Sequence, residues 1–219
     1  MAEKTPEKLN RKGFEVTILS IIFLAAGLAG QPASACPKSP SIRVELSSHS
    51  EDVSVSNESA LMQLNELSAR SPQRLRHKPL GFSMSSFHYT VRSGSVAGCD
   101  DQISIGVDLI LDGRRIDVAR EVMADKCLGP VAVAHYRRHA DADHEAFSRL
   151  TARVGNTLQS PVFREVMKNV ADFTKAEKIV VSVVNSELAA YDAERQSIQT
   201  SVDTSAEVTR LENACDVHT

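Results

Sequence analysis

His135-Tyr136-Arg137-Arg138-His139 sets two imidazoles four residues apart. On an α-helix that spacing puts both rings on one face, close enough to grip a single metal ion. Zinc proteases use it in the motif H-E-x-x-H, where the glutamate activates the metal-bound water. Here Tyr136 stands at the glutamate's position. A carboxylate can shuttle a proton near neutral pH, whereas a phenol with a pKa of about 10 is neutral there and a poor base. Loss of a general base removes about 10²–10⁴-fold of rate. Tyr136 is thus reduced to a helper that donates a hydrogen bond to a developing oxyanion, and Glu121 is the carboxylate that could replace the base if it faces the site. Asp143 falls four residues beyond His139, completing H-x-x-x-H-x-x-x-D. Two neutral imidazoles and a carboxylate suit a catalytic zinc with its fourth position open to water. Asp141, His144 and Glu145 are rotated off that face, and a third ligand could instead come from a later helix through Glu177, Glu187, Asp192 or Glu194. The same residues also fit a solvated helix laced with i,i+4 charge pairs, since short motifs match by chance.

The elements that must position these residues follow from periodicity. Ile42 to Leu46 alternates apolar and charged residues, a half-buried strand. Leu61, Leu64 and Leu67 mark an amphipathic helix over 57–70 with Ser56 available as N-cap, and a basic solvated loop follows through Arg74, Arg76, His77 and Lys78. A strand carries Phe82 to Val91 and ends by Gly94 and Gly98. Residues 102–122 alternate strictly and predict a β-hairpin turning at Asp112-Gly113. Pro130 opens the long helix bearing the histidines, which Gly155-Asn156 should break after Val154. Ser160-Pro161 begins another helix as N-cap and N1, a further one starts near Ala176, and the tail from Asp203 to Cys215 forms a short helix held by a disulfide. Strand, helix, sheet, then helices define an α+β fold: a small antiparallel sheet packed on the histidine helix, followed by a helical C-terminal part.

The apolar run Val16 to Gly30 follows Arg11 and Lys12 and ends in Ala33-Ser34-Ala35. That is a signal peptide with an A-x-A cleavage site, so residues 1–35 form the leader and 36–219 one mature domain, periplasmic or secreted. A retained anchor is the alternative, although the run falls short of the about 20 apolar residues of a comfortable span. Lipidation of Cys36 is disfavoured by Ala33 where a lipoprotein signal prefers Leu. Four cysteines in an exported chain suggest disulfides, and the favoured pairing is Cys99 with Cys127 and Cys36 with Cys215. No C-x-x-C pair points to a cysteine zinc site. A formal charge of −3, no Trp and no basic stripe with interleaved aromatics argue against a nucleic-acid partner.

Val118-Ala119-Arg120-Glu121, then Cys127, then Val133-Ala134-His135-Tyr136-Arg137-Arg138-His139 resembles exported bacterial proteins described as secreted zinc-dependent protease-like, of otherwise unknown function. In that family a hairpin ending in a similar stretch and a cysteine leads into an A-H-E-x-x-H helix. The resemblance covers about Cys36 to Leu150, and Cys36 and Cys215 fit it. It implies a zincin-like core whose edge strand holds a peptide, with His135 and His139 as zinc ligands and Tyr136 replacing the glutamate. The expected protein is a catalytically degenerate metallopeptidase homologue that binds a divalent metal, with a peptide or an envelope protein as partner. An active peptidase with a non-standard base and a metal-free structural protein are the two alternatives.

Overall fold

A computed structural model describes residues 41–70, 80–96, 99–170 and 172–215. The expected signal peptide, Cys36 and the basic loop at Arg74 to Lys78 lie outside the described residues. In chain order the elements are β1 (Ser41–Ser50), β2 (Ser54–Ser56), α1 (Leu61–Arg70), β3 (Gly81–Val96), β4 (Cys99–Val118), α2 (Arg120–Met123), α3 (Leu128–Gln159), α4 (Pro161–Lys168), α5 (Phe173–Val202) and α6 (Ser205–Asn213). The α+β class, with a small sheet and a helical C-terminal part, is what the structure has.

β4 is the spine of the sheet. β3 pairs with it antiparallel along one side, while β1 and β2 pair with it in parallel along the other. The sheet is therefore mixed rather than wholly antiparallel. The hairpin lies between β3 and β4, and Asp112-Gly113 does not turn the chain. Ser86 pairs with Asp112 and Met84 with Arg115, so β4 carries an extra residue there, with Gly113 at φ 58°. Asp-Gly is a strong hairpin signal because it tolerates positive φ, and a β-bulge with glycine in that conformation has the same requirement. The bulge changes the parity of the strand. Ile105, Val107, Leu109 and Leu111 point inward before it, Ile116 and Val118 after it, and both sets pack with residues of α3.

The main core joins the first of these sets to Phe147, Leu150 and Val154 of α3 and to Val180, Val184 and Tyr191 of α5. A second cluster around Ile116 and Val118 takes in Leu64 of α1, Ala132 and Ala140 of α3 and the ring of Tyr136. α3 spans both clusters, continuing through Gly155-Asn156 for a length of about 48 Å. Gly155 does not end the helix because it serves β1: a Cβ there would stand 3.3 Å from Leu46 Cδ2. Ser160 caps α4 as expected, its Oγ accepting from the Phe163 N–H at 3.1 Å. Ser56 does not cap α1. It ends β2, where its Oγ donates to the buried Asp117 carboxylate, and α1 begins later, at Leu61. α5 starts one turn earlier than the periodicity suggests, because Asp172 caps it through the Thr174 N–H.

Cys127 is joined to Cys215, 88 residues away, with the Cα atoms 5.9 Å apart. This bond overturns both expected pairings, since each of them used one of these two cysteines. Cys127 precedes α3 and Cys215 follows α6, so the bond ties those two helices together. Closing such a loop contributes about 4–5 kcal/mol in the chain-entropy model.

Candidate metal centre

α3 and α5 run antiparallel, and a ladder of polar contacts sets their register. Arg153 Nε donates to Glu187 Oε2 at 3.1 Å, and Arg149 and Arg153 share Glu194. One step further, Arg195 Nε donates to Asp143 Oδ1 at 2.6 Å, and Gln199 Nε2 donates to that oxygen and to the His139 carbonyl. The next position on α5's side is its C-cap, Asp203, which arrives beside both histidines.

His135 and His139 occupy adjacent turns of α3 with ring centroids 4.8 Å apart. Their Nδ1 atoms face outward, His139's toward Gln199 and His135's toward Glu207, with Arg138 Nη2 also 3.3 Å from the latter ring nitrogen. Gln199 uses its amide nitrogen for two carbonyl-type oxygens, so its Oε1 is the acceptor that His139 Nδ1–H reaches. His135 Nδ1–H donates to Glu207 Oε1 at 3.2 Å. Glu207, 8 % exposed, lies in the first turn of α6, where its backbone N–H donates to the N-cap Thr204 Oγ1, and its carboxyl lies at about 2: Arg210 lowers it most, with Arg138 and His135 adding, against the effect of burial. A protonated Nδ1 leaves the lone pair on Nε2. The two Nε2 atoms converge at 3.3 Å, and Asp203 Oδ1 closes the triangle at 2.9 Å from His139 and 3.4 Å from His135.

Three electron-pair donors this close repel one another unless a proton or a metal cation sits between them. The field at the site has the corresponding sign. Burial opposes ionisation of Asp203, yet its contacts with the two rings outweigh that and hold the carboxyl well below the usual range. Burial likewise opposes a positive His139, but Asp203 and Gln199 outweigh it and raise the imidazole. The triangle also has the right size. Ligands of a tetrahedral zinc at about 2.0–2.1 Å stand roughly 3.3 Å apart, which two edges match, while the His139–Asp203 edge is shorter at 2.9 Å. Two imidazoles, a carboxylate and an open position form a ligand set suited to zinc. Acceptors on the far nitrogens of ligating histidines are what hold such rings in place.

Of the residues singled out from sequence, His135 and His139 are brought together and Asp143 is not part of their group. Asp143 is 2 % exposed and is taken by Arg195, Gln199 and Ser85. Its carboxyl is held down, burial opposing and Arg195 prevailing. The later-helix candidates Glu187 and Glu194 serve arginines, and Glu177 accepts from Ser93. The Tyr136 hydroxyl is not part of the histidine group. Its hydroxyl accepts the Gly81 N–H at 2.9 Å, and burial pushes its pKa up to about 12. Glu121 is exposed and accepts the Leu61 N–H at 3.0 Å, so it caps α1, and its own and Leu61's backbone N–H groups keep its carboxyl low. Asp203 and Glu207 were missed. A carboxylate at a helix C-terminus opposes the helix dipole, and that misfit at Asp203 was a readable signal; Thr204-x-x-Glu207 has the pattern of a capping box.

The comparisons with known proteins return no matching family model, no matching curated protein and no matching solved structure. Among the described residues no helix is long and apolar enough to cross a membrane.

Proposed function

We propose that this chain is an exported, zincin-like domain that binds one divalent metal ion, zinc by its ligand chemistry, through His135 Nε2, His139 Nε2 and Asp203 Oδ1, and that it has lost ordinary peptidase chemistry. The convergence of three lone-pair donors, with both Nδ1–H groups already committed elsewhere, carries the metal half of this reading. The other half is supported by the groups that should do the proton transfer. Tyr136 is tied to a backbone N–H with its pKa raised, and Glu121 is spent on α1. Zinc bound here would act as a Lewis acid or a structural clamp. Asp203, with a half-exposed side chain, leaves the open position facing solvent, where an exogenous donor from a peptide or an envelope protein could complete the shell.

Metal analysis of the purified protein tests the proposal. Stoichiometric zinc that is lost in His135→Ala and in Asp203→Ala, without chelator-sensitive cleavage of a peptide library, is the expected result. Chelator-sensitive cleavage would favour a peptidase with another base. A protein that retains no zinc and whose melting is indifferent to chelator would favour the metal-free alternative.

A further inference from the structure

We infer that the Cys127–Cys215 disulfide governs how tightly the His135, His139 and Asp203 group holds its metal, so that reduction by a dithiol loosens the site. This rests on the metal-binding reading above. The bond and the site share the same two elements. Cys127 lies eight residues before His135 on the α3 side, and Cys215 lies eight residues after Glu207 on the α6 side. Between them, α6 has little else to hold it. Among the described side chains none from α6 belongs to either hydrophobic cluster, and its one buried residue is the charged Glu207. A nine-residue helix is too short to persist by itself. Besides the partly buried Val208 and Leu211, its attachment consists of the disulfide, the Glu207 contacts to His135 and Arg138, and the chain connection through Asp203.

Breaking the disulfide frees the far end of α6. Glu207 then no longer fixes His135 Nδ1, and the Asp203–Thr204 junction loses its restraint on one side. The chemistry is a simple exchange. A dithiol supplies two electrons and two protons, the Cys127–Cys215 S–S bond breaks, two cysteine thiols form, and the reductant leaves as its own disulfide. Cys127 is exposed, so a thiolate can reach it. Linkage requires the reverse effect on the bond's reduction equilibrium as well, and the same clamping of α6 by metal should slow the opening of the bond.

The experiment compares zinc affinity, by competition with a chromophoric chelator, between the oxidised protein and the Cys127→Ser/Cys215→Ser double variant. It also measures the rate at which a phosphine reductant opens the bond with and without saturating zinc, thiols being avoided because they compete for the metal. The expected result is zinc held about 10–100-fold more weakly by the double variant, as for loss of a group that orients a ligand, with its helical circular dichroism lowered at most by the short α6. Zinc should also slow reduction in the native sequence and leave it unaffected in Asp203→Ala. Equal affinities together with a zinc-indifferent reduction rate would overturn the coupling while leaving metal binding intact. If the oxidised protein binds no zinc, the metal reading fails and the coupling with it. Should the double variant not fold, the reduction rates in the native sequence decide.

Discussion

At the scale of the residue, the histidine pair was legible and its third partner was not, for a geometric reason. His135 and His139 are neighbours by helical pitch, which a local pattern shows, whereas Asp203 reaches His139 across 64 residues and only the α3–α5 register brings it there. Asp143, read as a ligand because it shares the histidine face, instead meets Arg195. Replacing it separates the two roles. Asp143→Asn is expected to destabilise the fold by about 1.5–3 kcal/mol, the range for hydrogen bonds to charged groups, while zinc affinity changes little. A folded-state pKa below the ordinary 3.8 means that Asp143 stabilises above that value and loses its contribution as the pH falls through the depressed one. The difference in urea midpoint between native protein and variant should therefore be constant from pH 5 to 7 and shrink toward pH 3. Glu207→Gln should do the opposite of Asp143→Asn, weakening zinc by about 10-fold through His135. Tyr136→Phe should cost about 1–2 kcal/mol, because the buried Gly81 N–H loses its acceptor. A measurable effect on zinc affinity would show that Tyr136 serves the ion after all.

At the scale of the element, two of the misread boundaries were glycines, and the two have different physics. Alternation over 102–122 identified the strand residues as far as Val118, while Val122 falls in α2; Asp112-Gly113 carries no information that tells a turn from a bulge, since both want the same backbone conformation. What decides is β3, which runs on past that point and pairs on both sides of it. Gly155 was read as a helix end from local propensity, and tertiary packing overrides that preference: β1 presses on the helix there. The substitutions should diverge accordingly. Gly113→Ala forces a Cβ into the left-handed region at a cost of about 1–2 kcal/mol. Gly155→Ala gains helix propensity of up to about 1 kcal/mol, offset by the 3.3 Å contact with Leu46. Leu46 is only partly buried and can yield, so the net change should be neutral to mildly stabilising in chemical denaturation. A loss of 2 kcal/mol or more would mean that β1 cannot move away from α3.

At the scale of the whole molecule, the main hydrophobic cluster and the candidate metal centre are separable. Every core residue from Ile105 to Tyr191 packs without reference to an ion, while the ligands sit where α3, the end of α5 and α6 meet beyond that core. A small zinc domain that lacks such a core unfolds when its metal is removed; this one should not. Chelator is expected to leave circular dichroism intact and to lower only the thermal midpoint. Zinc at a hundred times its Kd contributes about 2.7 kcal/mol. For a domain of 150–250 residues that corresponds to a rise of roughly 5–11 °C. His139→Ala should abolish the rise and keep the fold. Leu150→Ala, by contrast, removes a fully buried side chain shared by the sheet and α3, and should cost about 2–5 kcal/mol while preserving the zinc-dependent increment. If chelator alone unfolds the protein, the ion is holding the core together, and the separation between fold and site fails.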